Sequence, residues 1–216
     1  CNQFLEGHWP TWKKVSYEYT HLAEAKYYFA FTLGLLFLWG LENSFRHFGF
    51  PTWDRALWRF HLYRWSAQFF KVLLLAGIAV HVLKFIIGRK RPYVSNDGGW
   101  VLCDPSVFLP FEWDYRFHSL PSGHSQLIFT VATFLSYSLP HRFQWIKVVL
   151  FSIALFLALT RVGTADHFLS DVLAGGFLGV FVTWWLLRKR GQQQKGRFED
   201  GKPPNEAVPS RTVHGG

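Results

Sequence analysis

The chain reads as an all-α polytopic membrane bundle with five spans, and three observations carry that reading. Five apolar segments of helical length follow one another along its 216 residues. Aromatic residues make up 19% of it, with 11 Trp and 23 Phe, far more than an ordinary soluble domain carries. Basic residues gather beside the apolar segments rather than along one polar stripe. Mean hydropathy is only +0.07, because apolar blocks are averaged with a polar stretch from Arg188 to Gly216. A soluble helical protein would have to bury segments such as FVTWWLL on every side.

Residues 1–26 are polar and aromatic and are not read as a signal peptide. The expected spans are Tyr27 to Phe45, Trp65 to Ile87, His124 to Leu139, Phe143 to Thr160 and Phe168 to Leu187. A span needs about 20 residues to cross about 30 Å of hydrocarbon, and the uncharged runs here, such as Tyr27 to Leu41, are shorter. Lys26, Lys71 and Lys147 are read as snorkelling or facing the bundle. The stretch from Phe48 to Trp65 mixes Trp and Tyr with Arg, the composition of a segment at headgroup level.

Orientation follows from the connections. The segment from Glu42 to Arg64, the turn around His141 and Arg142, and the run Arg188, Lys189, Arg190 are basic and therefore expected on the cytoplasmic side. The loop from Arg89 to Gly123 then lies outside, where Arg89, Lys90 and Arg91 break the charge rule and so need another role. With the tail inside and no Met in the chain, a sixth span is expected before Cys1. The domain reading is a membrane-embedded unit over residues 1–187 and a disordered basic and polar tail over 188–216.

Composition also excludes some classes. The net charge of +9 is read as membrane flanking, since no nucleic-acid-reading motif accompanies it, and no nucleic-acid partner is expected. Two cysteines, Cys1 and Cys103, allow at most one disulfide and no cysteine zinc site. Whether Cys1 is lipid-modified stays open. Asp97, Asp104, Glu112 and Asp114 are dispersed through the outer loop and are read as solvated rather than as a metal cluster.

Three short clusters carry chemistry, and all fall on the expected outer side. Lys84 precedes Arg91 and Pro92 by two helical turns, which presents two cations on one face if the helix persists to Pro92; a basic helix end is the plainer alternative. Pro121, Ser122, Gly123 and His124 open an apolar helix, where free N–H groups form an anion site and Gly admits a close approach; a simple cap is the alternative. Arg161 precedes His167, and Asp171 follows four residues later, so the carboxylate orients one ring nitrogen and leaves the other as a nucleophile; a stabilising pair is the alternative. His81 is read as a packed helix residue, with Asp166 and His118 as loop residues.

Together the clusters resemble the signature of the type 2 phosphatidic acid phosphatase superfamily: Lys-x6-Arg-Pro, Pro-Ser-Gly-His, and Ser-Arg-x5-His-x3-Asp. The one departure is Thr160 in place of the usual Ser. The resemblance implies a bacterial inner-membrane lipid phosphatase with its site facing the periplasm. In it His167 attacks phosphorus to give a phosphohistidine, Asp171 orients His167, and His124 protonates the leaving oxygen. Lys84, Arg91, Ser122, Gly123 and Arg161 hold the phosphoryl oxygens. No metal or cofactor is implied, because three cations neutralise the charge. The substrates it allows are undecaprenyl pyrophosphate, phosphatidylglycerol phosphate, phosphatidic acid and lipid A phosphates, with membrane lipids as surroundings. The aromatic loop Tyr93 to Leu120 is the expected lid. A vanadate-dependent haloperoxidase has a similar pocket, and a non-catalytic binding protein of the same fold is the other alternative.

Overall fold

A computed structural model of the chain describes residues 14–47, 56–92, 107–164 and 166–199. Among these the fold is helical, with an isolated bridge between Arg89 and Phe108 in place of any strand. A short helix over residues 14–20 and a 3-10 turn at His21–Ala23 lead into α1 (Ala25–His47), α2 (Ala56–Ile87), α3 (Gly123–Ser138), α4 (Gln144–Gly163) and α5 (Leu169–Glu199). Cys1, Cys103, Asp97, Asp104, Trp100 and Tyr93 lie outside the described residues.

The helices follow the apolar segments, with two extensions. From Ala56 the aromatic and basic stretch is continuous with α2, whose 32 residues measure about 48 Å, longer than a hydrocarbon core is thick. At the other end, α5 runs beyond Leu187 to Glu199, so the segment from Arg188 begins as helix rather than as the expected disordered tail. Gln, Lys, Arg and Glu are adequate helix formers, and extending a helix that packing has already nucleated costs far less than starting one.

Among the described residues, three stretches, His61–Ile87, Gln144–Gly163 and Leu169–Lys189, are long and apolar enough to cross a membrane. The apolar run of α1 is flanked by Lys26 and Glu42. α3 has only 16 residues, and its buried side chains include Ser125, Gln126, Thr130, Thr133 and Ser136. Those polar residues fit its place. α3 is the hub of the bundle, packed most extensively on α5 and next on α4, with α2 on a further side.

Glycines set the α3–α5 distance. A Cβ on Gly175 would sit 2.3 Å from the Ser122 carbonyl oxygen, and one on Gly179 would sit 2.3 Å from that of Gln126. Two glycines four apart thus let one backbone rest on the other, the small-residue contact that membrane helices use. One apolar cluster joins Ile128, Ala132, Ala154, Leu157, Ala158 and Val172; a second joins Phe69, Val72, Leu73, Leu127, Phe134 and Leu187.

Large apolar side chains also cover the outside. Phe37, Leu38, Ile78, Val148, Leu173 and Phe177 are all at least half exposed, at 65, 62, 51, 69, 60 and 72%. Continuous apolar surface over this many helices is out of place in water and matches a lipid surround.

Candidate active site

Lys84 occupies the last turn of α2 and is buried. The helix then stops, at Gly88 rather than at Pro92. Gly88 has φ +58°, the left-handed C-terminal cap that glycine favours, and a Cβ there would collide with the Leu109 backbone. Residues 89–91 run on and are stitched to the returning loop: Leu109 N–H donates to Gly88 O at 2.8 Å, Lys90 N–H to Val107 O at 2.9 Å, and Arg91 N–H to Arg116 O at 2.8 Å. Lys84 and Arg91 therefore reach one cavity through a helix end and a turn, not through two further turns of helix.

Ser122 caps α3, its hydroxyl accepting from Ser125 N–H at 3.5 Å and Ser125 Oγ–H at 3.1 Å. Its own N–H donates to Asp171 O at 2.9 Å, which ties the start of α3 to the first turn of α5. A Cβ built on Gly123 would lie 3.7 Å from Lys84 Nζ, so the ammonium hangs directly over the helix start. Free N–H groups, the positive end of the helix dipole and a lysine thus converge where an anion would sit.

The end of α4 supplies the third wall. Arg161 is buried; Nη1 donates to Thr20 Oγ1 at 2.6 Å, and Nη2 pairs with Asp166 Oδ2 at 2.7 Å. Its Nε is buried without a partner among the described residues. Asp166 also accepts from Thr164 Oγ1 at 2.6 Å, so it orients the arginine rather than being a mere neighbour of His167.

His167 and Asp171 are buried at 1% and 0% exposure. Burial pushes the imidazole of His167 down to about 4; the neighbouring Asp171 carboxylate acts the other way, while Lys84, Arg91 and Arg161 add to the lowering. The ring is therefore neutral at physiological pH, with a free nitrogen lone pair.

A cavity of about 570 Å³ collects these groups. Lys84, Arg91, Gly123, His124, Arg161 and His167 line one end of it, while Phe29, Leu73, Leu74, Ile78, Val82 and Leu127 form an apolar trough. Ser122 and Asp171 stand behind that wall: Ser122 O accepts from the N–H of the lining residue Gln126 at 3.0 Å, and the Asp171 carboxylate lies 3.9 Å from His167 Nδ1.

Several neighbours of the site carried no sequence signal. Ser119 donates to Asp171 Oδ2 at 2.5 Å, and Arg89 Nη1 donates to Asp171 Oδ1 at 2.5 Å and to Ser170 Oγ at 2.7 Å. Thr20 reaches Arg161 from the N-terminal segment. His81 is exposed on the cavity rim rather than packed, and His118 is held by the loop, its Nε2 2.8 Å from Glu112 O. Of the expected lid, the described part carries exposed Phe108, Phe111, Trp113 and Tyr115. Among the described residues no group of three or more His, Cys, Asp or Glu is placed to hold a metal ion.

The structure is thus a helical, membrane-associated bundle that gathers two histidines and three cations at one end of an apolar cavity. The chain belongs to the PAP2 superfamily, whose family model matches residues 65–195. It is 35% identical over 110 residues to a lipid A 1-phosphatase of Rhizobium etli and 34% identical over 118 residues to one of Rhizobium johnstonii. Those matches cover 51% and 55% of this chain but 44% and 45% of the relatives, so the chain spans less than half of their length. Among solved structures, LpxE of Aquifex aeolicus shares the fold with a TM-score of 0.54 at 20% identity, over 83% of this chain and 87% of that one. A transmembrane PAP2 type phosphatidylglycerolphosphate phosphatase of Bacillus subtilis matches with a TM-score of 0.50 at 25% identity, over 86% and 78%.

Proposed function

We propose that this chain is an integral membrane lipid phosphatase acting through a phosphohistidine at His167. The cavity carries the reading: a buried, neutral histidine and three cationic side chains stand at one end, and an apolar trough along α2 leads away from them. A phosphate at that end places its oxygens against Lys84, Arg91, the start of α3 and the unpartnered Nε of Arg161. Those groups stabilise the charge that builds on the transferring phosphoryl group. His167 bonds to phosphorus as the ester bond breaks, and His124 gives a proton to the departing oxygen. Water then releases phosphate from His167.

The trough takes the hydrophobic part of the substrate, and the shared name of the Rhizobium relatives puts the 1-phosphate of lipid A first among the substrates. Phosphatidylglycerol phosphate, phosphatidic acid and undecaprenyl pyrophosphate follow. All five helices span the membrane in this reading, with the site on the extracytoplasmic face of a bacterial inner membrane and the end of α5 inside. A cysteine placed at Gly99 then reacts with an impermeant reagent from outside, and one at Gln193 does not.

The deciding experiment follows phosphate release from that lipid panel by protein purified in detergent, together with trapping of the phosphoenzyme. Wild type releases phosphate, is inhibited by vanadate and is indifferent to chelator. His167→Ala loses turnover and the phosphoenzyme together, whereas His124→Ala recovers more on an aryl phosphate, whose leaving group needs no proton. Label transferred to His167→Ala protein, or halide oxidation in place of phosphate release, defeats the proposal.

A further inference from the structure

Asp171 has more partners than a simple histidine–carboxylate pair needs, and His167 is not among the near ones. Oδ1 accepts from Arg89 Nη1 at 2.5 Å. Oδ2 accepts from Ser119 Oγ at 2.5 Å and from Phe168 N–H at 3.0 Å. His167 Nδ1 lies 3.9 Å from Oδ2, beyond hydrogen-bond range, but 3.4 Å from Ser119 Oγ. Ser119 and Asp171 are both fully buried, at 0% exposure, so no solvent competes for these bonds.

The donor inventory then settles direction. A serine hydroxyl has one proton and two lone pairs. An ionised carboxylate only accepts, so Ser119 gives its proton to Asp171 and has only lone pairs left for the imidazole. Nδ1 must therefore carry the hydrogen, and Nε2 keeps the free pair. Arg89 fixes the other side of the carboxylate: it is held by Ser170 Oγ at 2.7 Å and stacks on Phe168 at 4.1 Å, which leaves Oδ2 for Ser119.

We propose that Ser119 is a positioning residue that couples His167 to Asp171, the chain of donors running from His167 Nδ1–H to Ser119 Oγ and from Ser119 O–H to Asp171. The proposal rests on His167 being the nucleophile. When the Nε2 pair bonds to phosphorus, the pair of the breaking P–O bond leaves with the lipid oxygen, which takes a proton from His124. The phosphorylated ring is then cationic with Nδ1–H intact, and Asp171 meets that charge through the serine hydroxyl. In hydrolysis a water oxygen bonds to phosphorus, the N–P pair returns to Nε2, and the water proton restores His124. No proton leaves the relay in either step. The charged and titratable groups facing His167 are Lys84 from α2, Arg91 beyond its end, His124 from α3, Arg161 from α4 and Asp171 from α5.

The test is a double-mutant cycle on the rate of phosphoenzyme formation, read with the position of the phosphate on the ring. Ser119→Ala should slow formation by about 10- to 100-fold while KM for the lipid stays within about twofold, the pattern of an interaction that acts on the chemical step. Because Ser119 acts through Asp171, Ser119→Ala combined with Asp171→Asn should fall no further than Asp171→Asn alone, within about twofold. A Ser119→Ala rate within twofold of wild type, or a double variant that loses the product of both factors, overturns the relay. The wild-type digest should contain phosphate on Nε2 only, a readout independent of how any variant folds. Phosphate on Nδ1 overturns the relay while leaving His167 as nucleophile; no phosphohistidine at all in turning-over enzyme overturns the parent reading, and the relay with it.

Discussion

The two sides of α3 are built on opposite principles. Toward α5 the backbones touch, and Gly175 and Gly179 are places where a single added carbon would meet a carbonyl oxygen. Toward α1 and α2 the packing opens into the cavity, and Gly77 on its wall has nothing within 4 Å of where a Cβ would stand. Glycine is required on one side and merely present on the other. The tight seam carries residues to which the proposed mechanism assigns the reacting geometry: Ser122 at the start of α3 is bonded to Asp171 in the first turn of α5, with His167 just before it. The open side carries the apolar wall, where the lipid chain of the proposed substrate would need room rather than precision.

That contrast can be broken most severely at the seam. Gly175→Val should destabilise the protein by about 3 kcal/mol or more, since the clash is with backbone and overpacking has nowhere to relax; a detergent thermal melt within a degree or two of wild type would show that the seam yields. Thr20→Val removes the acceptor that holds Arg161 Nη1. It should lower kcat/KM about tenfold, roughly one lost hydrogen bond to a charged group, while Thr20→Ser restores most of it.

On the open side, Gly77→Leu should raise KM for a long-chain lipid by about fivefold, the scale of a modest loss of apolar contact. It should leave turnover of a soluble aryl phosphate unchanged, because the trough is filled and the cationic end is not touched. Equal losses on both substrates would mean that the trough is not where the chain lies.

Acid separates the two regions in another way. With its folded value lowered to about 4, His167 stays neutral well below the ordinary histidine range. Phosphoenzyme formation should then not lose its nucleophile between pH 8 and 5, as followed by rapid-quench labelling. The sign for stability is the reverse of a salt bridge: as pH falls below about 6.5 the unfolded chain binds a proton that the folded one refuses, so stability declines until about pH 4 and this group contributes no further loss below it. The smallest effect is expected at Gly77→Ala, a gain of about 0.5–1 kcal/mol from helix propensity in open space, seen as a slight rise in Tm.

The sequence by itself determined the helical class and the charged clusters. Apolar runs of helical length leave few other structures, and Lys84, Arg91, Ser122, Gly123, His124, Arg161, His167 and Asp171 stand in the order and spacing by which the three clusters resemble the phosphatase signature. Two local signals were present in the sequence. Gly88 after Phe85, Ile86 and Ile87 is a helix stop, yet two helical turns to Arg91 account equally well for the pair of cations. Gly175 and Gly179 form a small-residue repeat whose partner is not apparent from the repeat alone. The contacts around His167 and Arg161 were settled only in three dimensions. Ser119 and Arg89 meet Asp171 across 52 and 82 residues, and Thr20 meets Arg161 across 141. A serine, an arginine and a threonine have no periodicity or spacing that marks them when their partners are that remote. Their roles come from the backbone path, from the left-handed turn at Gly88 and from the close crossing of α3 and α5. Those bring donors to a buried carboxylate that would otherwise be left short of them, and a buried charge without partners is too costly to persist.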